Sequence, residues 1–436
     1  MKTKRNCIRD LPAPSHFTKG DTLVVFGEVF ERGYVNGIID EAKNVGMKII
    51  YSTVGRRDEA QQLRPLTADE LKEKDQSPLI NIPLEAGFDM EPDSSGIRPV
   101  DQLKDYGLTG WETARLNWTS IEESRQKGAE RFRTHVKKFL SEVEKQIDPQ
   151  KNLIFVHTMA GGFPRAKVVM PIANRIFKGI GPRYCSSQTF WESEIGRLCD
   201  MSFREVTGET FFHLIELSAP LRQKIEKSGG KVRYAAYGYH GNDVLVGDRY
   251  EWYSYSPYLQ GFAKLRLEAI SDTAFEKNVS CTVFNVPEIL TNSSSIFLGI
   301  EVVLYPLMQA LQKEAPQKTP PLIKDLLANC HSRLKEGFTL EDINRVTHEY
   351  LTNPEVRSWP SLEGWPQHNG PRQMELMRNS SSAIIDMHKD AKDLMTKDLS
   401  EIVFRSCGKI MLREMENPRY GVAWIGHDAV AKAAFN

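Results

Sequence analysis

The stretch DTLVVFGEVFERGYVNGIIDEAKNVGMKIIYSTVGRRD, residues 21–58, decides the fold. Asp21 to Phe26 is a short apolar run rich in β-branched residues and closed by Gly27. It reads as a strand buried on both faces. Residues 34–46 then carry Val35, Ile38, Ile39 and Ala42 at helical spacing, with Gly46 placed to stop the helix. MKIIYSTV follows as a second strand. Strand, glycine turn, helix and strand within about 30 residues make a βαβ unit.

The alternation continues outward from this unit. Residues 59–110 are polar and rich in Pro and Gly, with PLINIPL (78–84) as a candidate third strand. Residues 118–147 form a long amphipathic helix, and LIFVHTM (153–159) is another buried strand. A helix over 204–228 ends at Gly229-Gly230 and leads into the strand KVRYAAYGYHG (231–241). A helix over 258–277 precedes the strand NVSCTVFNVP (278–287). This order predicts an α/β fold, a Rossmann-type doubly wound parallel sheet, with a helical C-terminal extension. Residues 1–20 read as an N-terminal arm. Residues 21–305 read as the dinucleotide-binding core with an insertion near 59–117, and residues 306–436 as a mainly helical extension. Within the extension, 353–373 looks irregular and 374–402 helical.

Composition excludes several classes. Lys plus Arg equals Asp plus Glu, 57 each, so charge gives no reason to invoke nucleic acid. No run of 18 apolar residues exists and the N-terminus lacks an apolar signal core, so no membrane span or secretion is expected. The six cysteines are scattered without a C-x-x-C pair, so neither a zinc site nor a redox dithiol is expected, and without a secretion signal the expected setting is a reducing cytoplasm. No metal constellation appears. Oligomeric state is left open by the sequence.

The turn after the first strand carries Gly27, Gly33 and Gly37. Glycines between a strand and a helix let the backbone approach a pyrophosphate at the helix N-terminus. The spacing is not G-x-G-x-x-G, and Glu28 and Glu31 lie inside the turn; the alternative is an ordinary tight turn with a packing glycine. The second strand ends in Gly55-Arg56-Arg57-Asp58, where a dinucleotide fold meets the adenine ribose. Arginines there pair with a 2′-phosphate, so Arg56 and Arg57 favour NADP(H) over NAD(H). The alternative is a solvated basic loop.

These residues resemble the short-chain dehydrogenase/reductase superfamily, and within it the enoyl-acyl-carrier-protein and trans-2-enoyl-CoA reductases. The turn from Gly27 to Ile38 is similar to the turn of those enzymes. Leu153-Ile-Phe-Val-His-Thr158-Met-Ala160 resembles their strand ending beside the cofactor ribose. Gln260-Gly-Phe-Ala-Lys264-Leu-Arg-Leu-Glu-Ala resembles their active-site helix with its lysine. The larger branch of the group spaces its catalytic tyrosine and lysine by eight residues, as Tyr255 and Lys264 are spaced here. Glu288-Ile-Leu-Thr291 resembles that branch's threonine-containing loop. The likeness runs in patches over about residues 20–335. The arm, the extra residues at 239–255 and the tail after about 340 depart from it, and Gln260 stands where the wider superfamily has its tyrosine.

The resemblance implies reduction of an unsaturated acyl thioester by NADPH or NADH. Hydride addition to an enoyl thioester makes an enolate, whose charge needs a hydrogen-bond donor at the thioester oxygen. Tyr255 is the first choice for that donor, Tyr258 the alternative and Tyr239 the second active-site tyrosine. Lys264 would lower the tyrosine pKa and hold the nicotinamide ribose. Thr158 and Ala160 would border the ribose, and Thr291 would bond the carboxamide or act as a helix N-cap. The bland reading of the aromatic cluster 250–258 is a loop packed over the sheet edge. His157 and His213 read as satisfied core histidines, and His240 lies near the proposed site. Arg165 is a candidate phosphate contact or a surface arginine. Two other functions stay open: carbonyl reduction on the same cofactor, and a catalytically silent cofactor-binding sensor or scaffold. In the latter, Trp359 and Trp365 would dock a partner; the alternative is that they close the active site as a lid.

Overall fold

The computed structural model describes residues 5–254, 258–315, 321–358 and 368–435. In chain order the strands are β1 (Cys7–Ile8), β2 (Thr22–Phe26), β3 (Lys48–Thr53), β4 (Arg56–Arg57), β5 (Leu63–Arg64), β6 (Leu79–Pro83), β7 (Leu153–His157), β8 (Val232–Gly238), β9 (Gly241–Val246), β10 (Arg249–Ser254), β11 (Cys281–Asn285) and β12 (Val422–Ile425). Eight of them form one sheet in the order β1-β12-β11-β8-β7-β2-β3-β6. Every neighbouring pair in it is parallel. The chain adds β3 and β6 on one side of β2, then crosses over to add β7, β8, β11 and β12 on the other. The switch point therefore lies between β2 and β7, where open α/β sheets bind ligands at the carboxyl ends of their strands.

Strand periodicity explains the layers. Leu23 and Val25 enter one core beside Val35, Ile38 and Ile39 of the helix Val35–Asn44. Val24 and Phe26 enter the opposite core beside Phe132 and Phe139 of the helix Trp118–Glu144. All four β2 side chains are fully buried, each contributing about 1.5–3 kcal/mol to folding.

The helix Thr396–Glu414 lies directly on Val35–Asn44, and two glycines permit the approach. A Cβ on Gly37 would sit 1.8 Å from the Phe404 carbonyl oxygen, and one on Gly408 would sit 2.0 Å from the Gly37 carbonyl carbon. Gly37 is thus a helix-packing residue inside the helix, which corrects its assignment to the phosphate turn.

Other expectations need correction. The stretch 1–20 is not a free arm, because Cys7–Ile8 pairs with β12 as the edge strand of the sheet. The C-terminal extension is mainly helical, but it also inserts β12 between β11 and β1 and shares a hydrophobic core with β2 and β7. The insertion near 59–117 begins later than residue 59, since β6 belongs to the main sheet. The helix expected over 204–228 is divided into a π-helical turn Arg204–Glu209 and the helices Thr210–Leu217 and Ala219–Lys227. Pro220, which lacks an N–H, takes the first turn of the last of these. The aromatic stretch after β8 is an antiparallel hairpin, β9 with β10. Among the described residues no helix is long and apolar enough to cross a membrane, and no cluster of three His, Cys, Asp or Glu side chains is arranged to hold a metal.

Candidate active site

Two cavities open at the carboxyl ends of β2, β3, β7 and β8. The first, of about 190 Å³, is lined by Gly33, Thr158, Ala160, Tyr239, Tyr258, Lys264 and Thr291 among others. The second, of about 290 Å³, runs toward the end of β3 past Val54, Glu85 and Asp89. Glu28, Phe30, Thr158, Met159 and Ala160 line both, so the two form one cleft across the switch point.

The wall nearest the first helix is built by Gly27. Its φ is +127°, a conformation that favours glycine, and a Cβ there would lie 2.3 Å from the Thr158 hydroxyl oxygen. Gly27 does not line the cleft itself; it lets the end of β7 close up against the turn. The Thr158 amide donates to the Phe26 carbonyl at 2.9 Å, continuing the β2–β7 pairing by one residue. No side chain caps the start of Val35–Asn44 and no acidic residue occupies its first turn. Two site loops clasp each other: the Arg32 amide donates to the Asn292 side-chain oxygen at 2.9 Å, and the Asn292 amide donates back to the Arg32 carbonyl at 3.3 Å.

Lys264 is buried on the helix Gly261–Glu276 and donates from Nζ to the Tyr237 carbonyl at 2.7 Å. Burial lowers its pKa to about 8, opposed by Glu268 one turn along. The Tyr239 and Tyr258 rings pack 4.4 Å apart. Burial pushes the Tyr258 hydroxyl well above its ordinary pKa, and the Glu288 charge adds to the shift. Tyr255 lies outside the described residues, as do Trp359 and Trp365. Thr291 bonds Ser294 through both its amide and its hydroxyl, at 2.7 and 2.8 Å, at the head of the short turn Ser294–Ile296.

The arginines at the end of the second Rossmann strand do not face the cleft as free cations. Arg56 donates two bonds, 2.9 and 2.8 Å, to the Glu28 carboxylate, which also accepts from Lys74 at 2.6 Å. Burial opposes ionisation of Glu28, yet Arg56 and Lys74 hold its pKa down to about 2. Arg57 pairs with Glu85 at 2.5 Å. Arg165 is taken up by Asp89 and Glu85 at 2.6 and 3.0 Å. The preference for NADP(H) read from Arg56 and Arg57 therefore loses its basis, because each guanidinium already has a carboxylate partner.

His157 is fully buried and its Nε2 meets the Thr210 hydroxyl at 2.7 Å. His213 meets Arg133 at 2.9 Å, and His240 meets Glu268 at 3.1 Å. All three have the partners expected of structural histidines. Sequence reading noted Glu28 only as an acidic residue in the turn, missed Glu85 and Asp89 at the same end of the cleft, and gave Glu288 no role. That residue bonds Tyr239 and lines a smaller cavity beyond Tyr258.

The model of the enoyl-acyl carrier protein reductase FabMG family matches residues 4–434. A solved apo structure of FabMG, described as a novel type of enoyl-acyl carrier protein reductase, is 43% identical; the match covers 100% of this chain and 98% of that one, with a TM-score of 0.95. An NADH-bound structure of FabMG is 37% identical over 99% of this chain and 98% of that one, with a TM-score of 0.80. No curated protein matches. With its whole length matched and its tyrosine–lysine cleft at the switch point of a Rossmann-type sheet, the chain belongs to the FabMG family of enoyl-acyl carrier protein reductases.

Proposed function

We propose that this chain uses NADH to reduce the carbon–carbon double bond of a 2-enoyl thioester carried on acyl carrier protein. The observation that carries the reading is the convergence of Lys264, Tyr239, Tyr258, Thr158 and Thr291 on one cavity at the sheet's switch point. The residues fit a dinucleotide. Gly27 lets Thr158 close against the turn and so shapes the wall of the cleft, and the start of Val35–Asn44, which no side chain caps, brings Tyr34, Val35 and the positive end of the helix dipole to the cavity wall, where a pyrophosphate would sit. Gly33, half-buried beside it with nothing within 4 Å of a built Cβ, leaves that approach open. The nicotinamide, when bound, supplies the hydride for the β-carbon of the substrate.

Tyr258 donates to the thioester oxygen as the enolate charge develops there, in a cavity whose burial strengthens that bond. Tyr258 is assigned this role because it lines the cavity that Lys264 enters, while Tyr255 lies outside the described residues. Lys264, charged below about pH 8, stabilises the same developing charge and holds the nicotinamide ribose. Thr291 closes the carboxamide side. NADH is preferred over NADPH because a 2′-phosphate would have to displace Glu28 from Arg56 and Lys74, or Glu85 from Arg57. The six cysteines are free, five of them buried, in keeping with work in a reducing cytoplasm.

The test is NADH oxidation with crotonyl-CoA and with crotonyl-acyl carrier protein. Turnover that disappears in Lys264→Met and in Tyr258→Phe is expected. A wild-type protein that binds NADH but reduces neither substrate, nor longer enoyl thioesters, overturns the assignment.

A further inference from the structure

Glu288 is a carboxyl group set among aromatic and sulfur side chains. It follows β11 in the loop that ends at Thr291, and its side chain bonds the Tyr239 hydroxyl. It also lines a cavity of about 30 Å³ with Tyr258 and Tyr253, enough room for a water molecule. Beyond it the Tyr253 and Tyr350 hydroxyls are 3.0 Å apart, and the Glu288 charge acts on Tyr350. Tyr258 belongs both to this cavity and to the cavity of Lys264. A chain of exchangeable hydroxyls thus links Glu288 to the proposed site of reduction.

We propose that the Glu288 carboxyl is the internal proton supply of the reductase, delivering its proton through the Tyr239 hydroxyl to the reduced substrate. The inference rests on the reading that this cavity reduces an enoyl thioester. Hydride addition at the β-carbon moves the double-bond electron pair onto the α-carbon and thioester oxygen, and the two electrons come from NADH. The Tyr239 O–H bond then breaks and its proton bonds the α-carbon, while the Glu288 O–H proton moves onto the tyrosine oxygen. The products are the saturated thioester, NAD⁺ and a Glu288 carboxylate, which takes a proton back from water.

The surroundings keep that acid loaded. Burial is the main influence on Glu288 and raises its pKa to about 8; the Tyr239 bond opposes this, and Glu301, itself buried on the helix Ile300–Leu304, adds to it. The helices Val169–Lys178 and Pro371–Met387 contribute Phe177, Met374 and Met377 to the cavity wall, none of which titrates. A buried ionisable group held by hydroxyls and a second acid is costly, and such groups concentrate at functional sites. Glutamine would serve a purely structural bond equally well, so Glu288→Gln separates the two roles.

The experiment measures steady-state NADH oxidation with crotonyl-CoA from pH 6 to 10 for wild type and Glu288→Gln, with NADH affinity by fluorescence. Wild type loses two required protons above about pH 8, from Lys264 and Glu288. Log kcat should therefore fall with a slope near −2, and the variant with a slope near −1. The variant should keep NADH affinity and KM within about twofold and lose roughly 10²-fold in kcat, as for removal of a general acid. A folded variant with wild-type kcat and an unchanged two-proton fall overturns the proposal while leaving the reductase reading intact. Wild type without activity overturns that reading instead. Should Glu288→Gln fail to fold, single turnovers of wild type in H₂O/D₂O mixtures decide. A curved dependence of rate on deuterium fraction supports the two-proton relay, and a straight line overturns it.

Discussion

Replacing Glu28 with glutamine should turn the adenosine side of the cleft toward NADPH. Glu28 is buried, and Arg56 and Lys74 hold its pKa down from 4.5 to about 2. A shift of that size corresponds to about 3 kcal/mol. The Arg56 side chain is 39% exposed, so solvent screening cuts the recoverable part to about 1–2 kcal/mol. The sign follows from a lowered pKa. The stabilisation is fully present above the unfolded carboxyl pKa and is lost as pH falls through about 2. Wild type and variant should therefore differ in urea midpoint at pH 7 and converge in strong acid. Glutamine keeps one acceptor but no charge, so Lys74 and one arm of Arg56 become available to a 2′-phosphate. Charge-assisted hydrogen bonds of this kind contribute about 1.5–3 kcal/mol each. One such bond gained should tighten NADPH binding about 10- to 100-fold. NADH, which lacks the phosphate, should change by less than about threefold. Fluorescence titration with both cofactors, together with kcat/KM for each, measures the ratio. A folded Glu28→Gln protein with the wild-type NADPH-to-NADH ratio would refute the claim that this carboxylate guards the arginine.

Other substitutions probe different links. Lys264→Met should abolish turnover yet raise stability at neutral pH. A buried lysine with a pKa lowered to about 8 costs stability below that pH and recovers it as pH rises toward the unfolded value. The gain should reach about 1–3 kcal/mol in chemical denaturation, and a destabilised variant would contradict it. Tyr258→Phe should lower kcat about 10²–10³-fold with NADH affinity unchanged; equal losses in binding would assign the hydroxyl to the cofactor instead. Gly37→Ala forces a methyl group into the Phe404 carbonyl and should cost about 3 kcal/mol or more. A thermal melt within a degree of wild type would show that the two helices part without cost.

The central sheet was legible because its strands announce themselves locally. Leu23-Val-Val-Phe26 and Leu153-Ile-Phe-Val156 are continuous apolar runs, as strands buried on both faces must be. Lys264 could be singled out because its helix carries the family pattern, and it lines the cavity at the switch point. What escaped depends on partners far along the chain. The strands β1 and β12 are two and four residues long and find each other across more than 400 positions, so neither has a signal of its own. The hairpin of β9 and β10 did have one, Val244-Leu-Val246 before the turn Gly247-Asp248, but the aromatic residues after it drew a loop reading. Gly37 shows the limit plainly: a phosphate turn and a helix crossing both require glycine, and the crossing partner, Gly408, is remote. Arg56 and Arg57 look free in sequence because their carboxylates, Glu28 and Glu85, each lie 28 positions away.

Burial acts on Lys264 and Glu288, which line the cavities of Tyr239 and Tyr258, in opposite senses and draws their acidities together. It lowers Lys264 from 10.5 to about 8 and raises Glu288 from 4.5 to about 8. In water the two groups differ by six orders of magnitude in acidity; in this cleft the gap closes. In the proposed relay, Tyr239, which bonds Glu288 and lines the cavity of Lys264, would then pass a proton from the acid without a large free-energy difference, which is what general acid catalysis near neutral pH requires. On the proposed relay, the same burial that makes the site expensive to fold would make the proton mobile. Exposing either group to solvent should restore its ordinary pKa and slow the reaction even with every side chain still present.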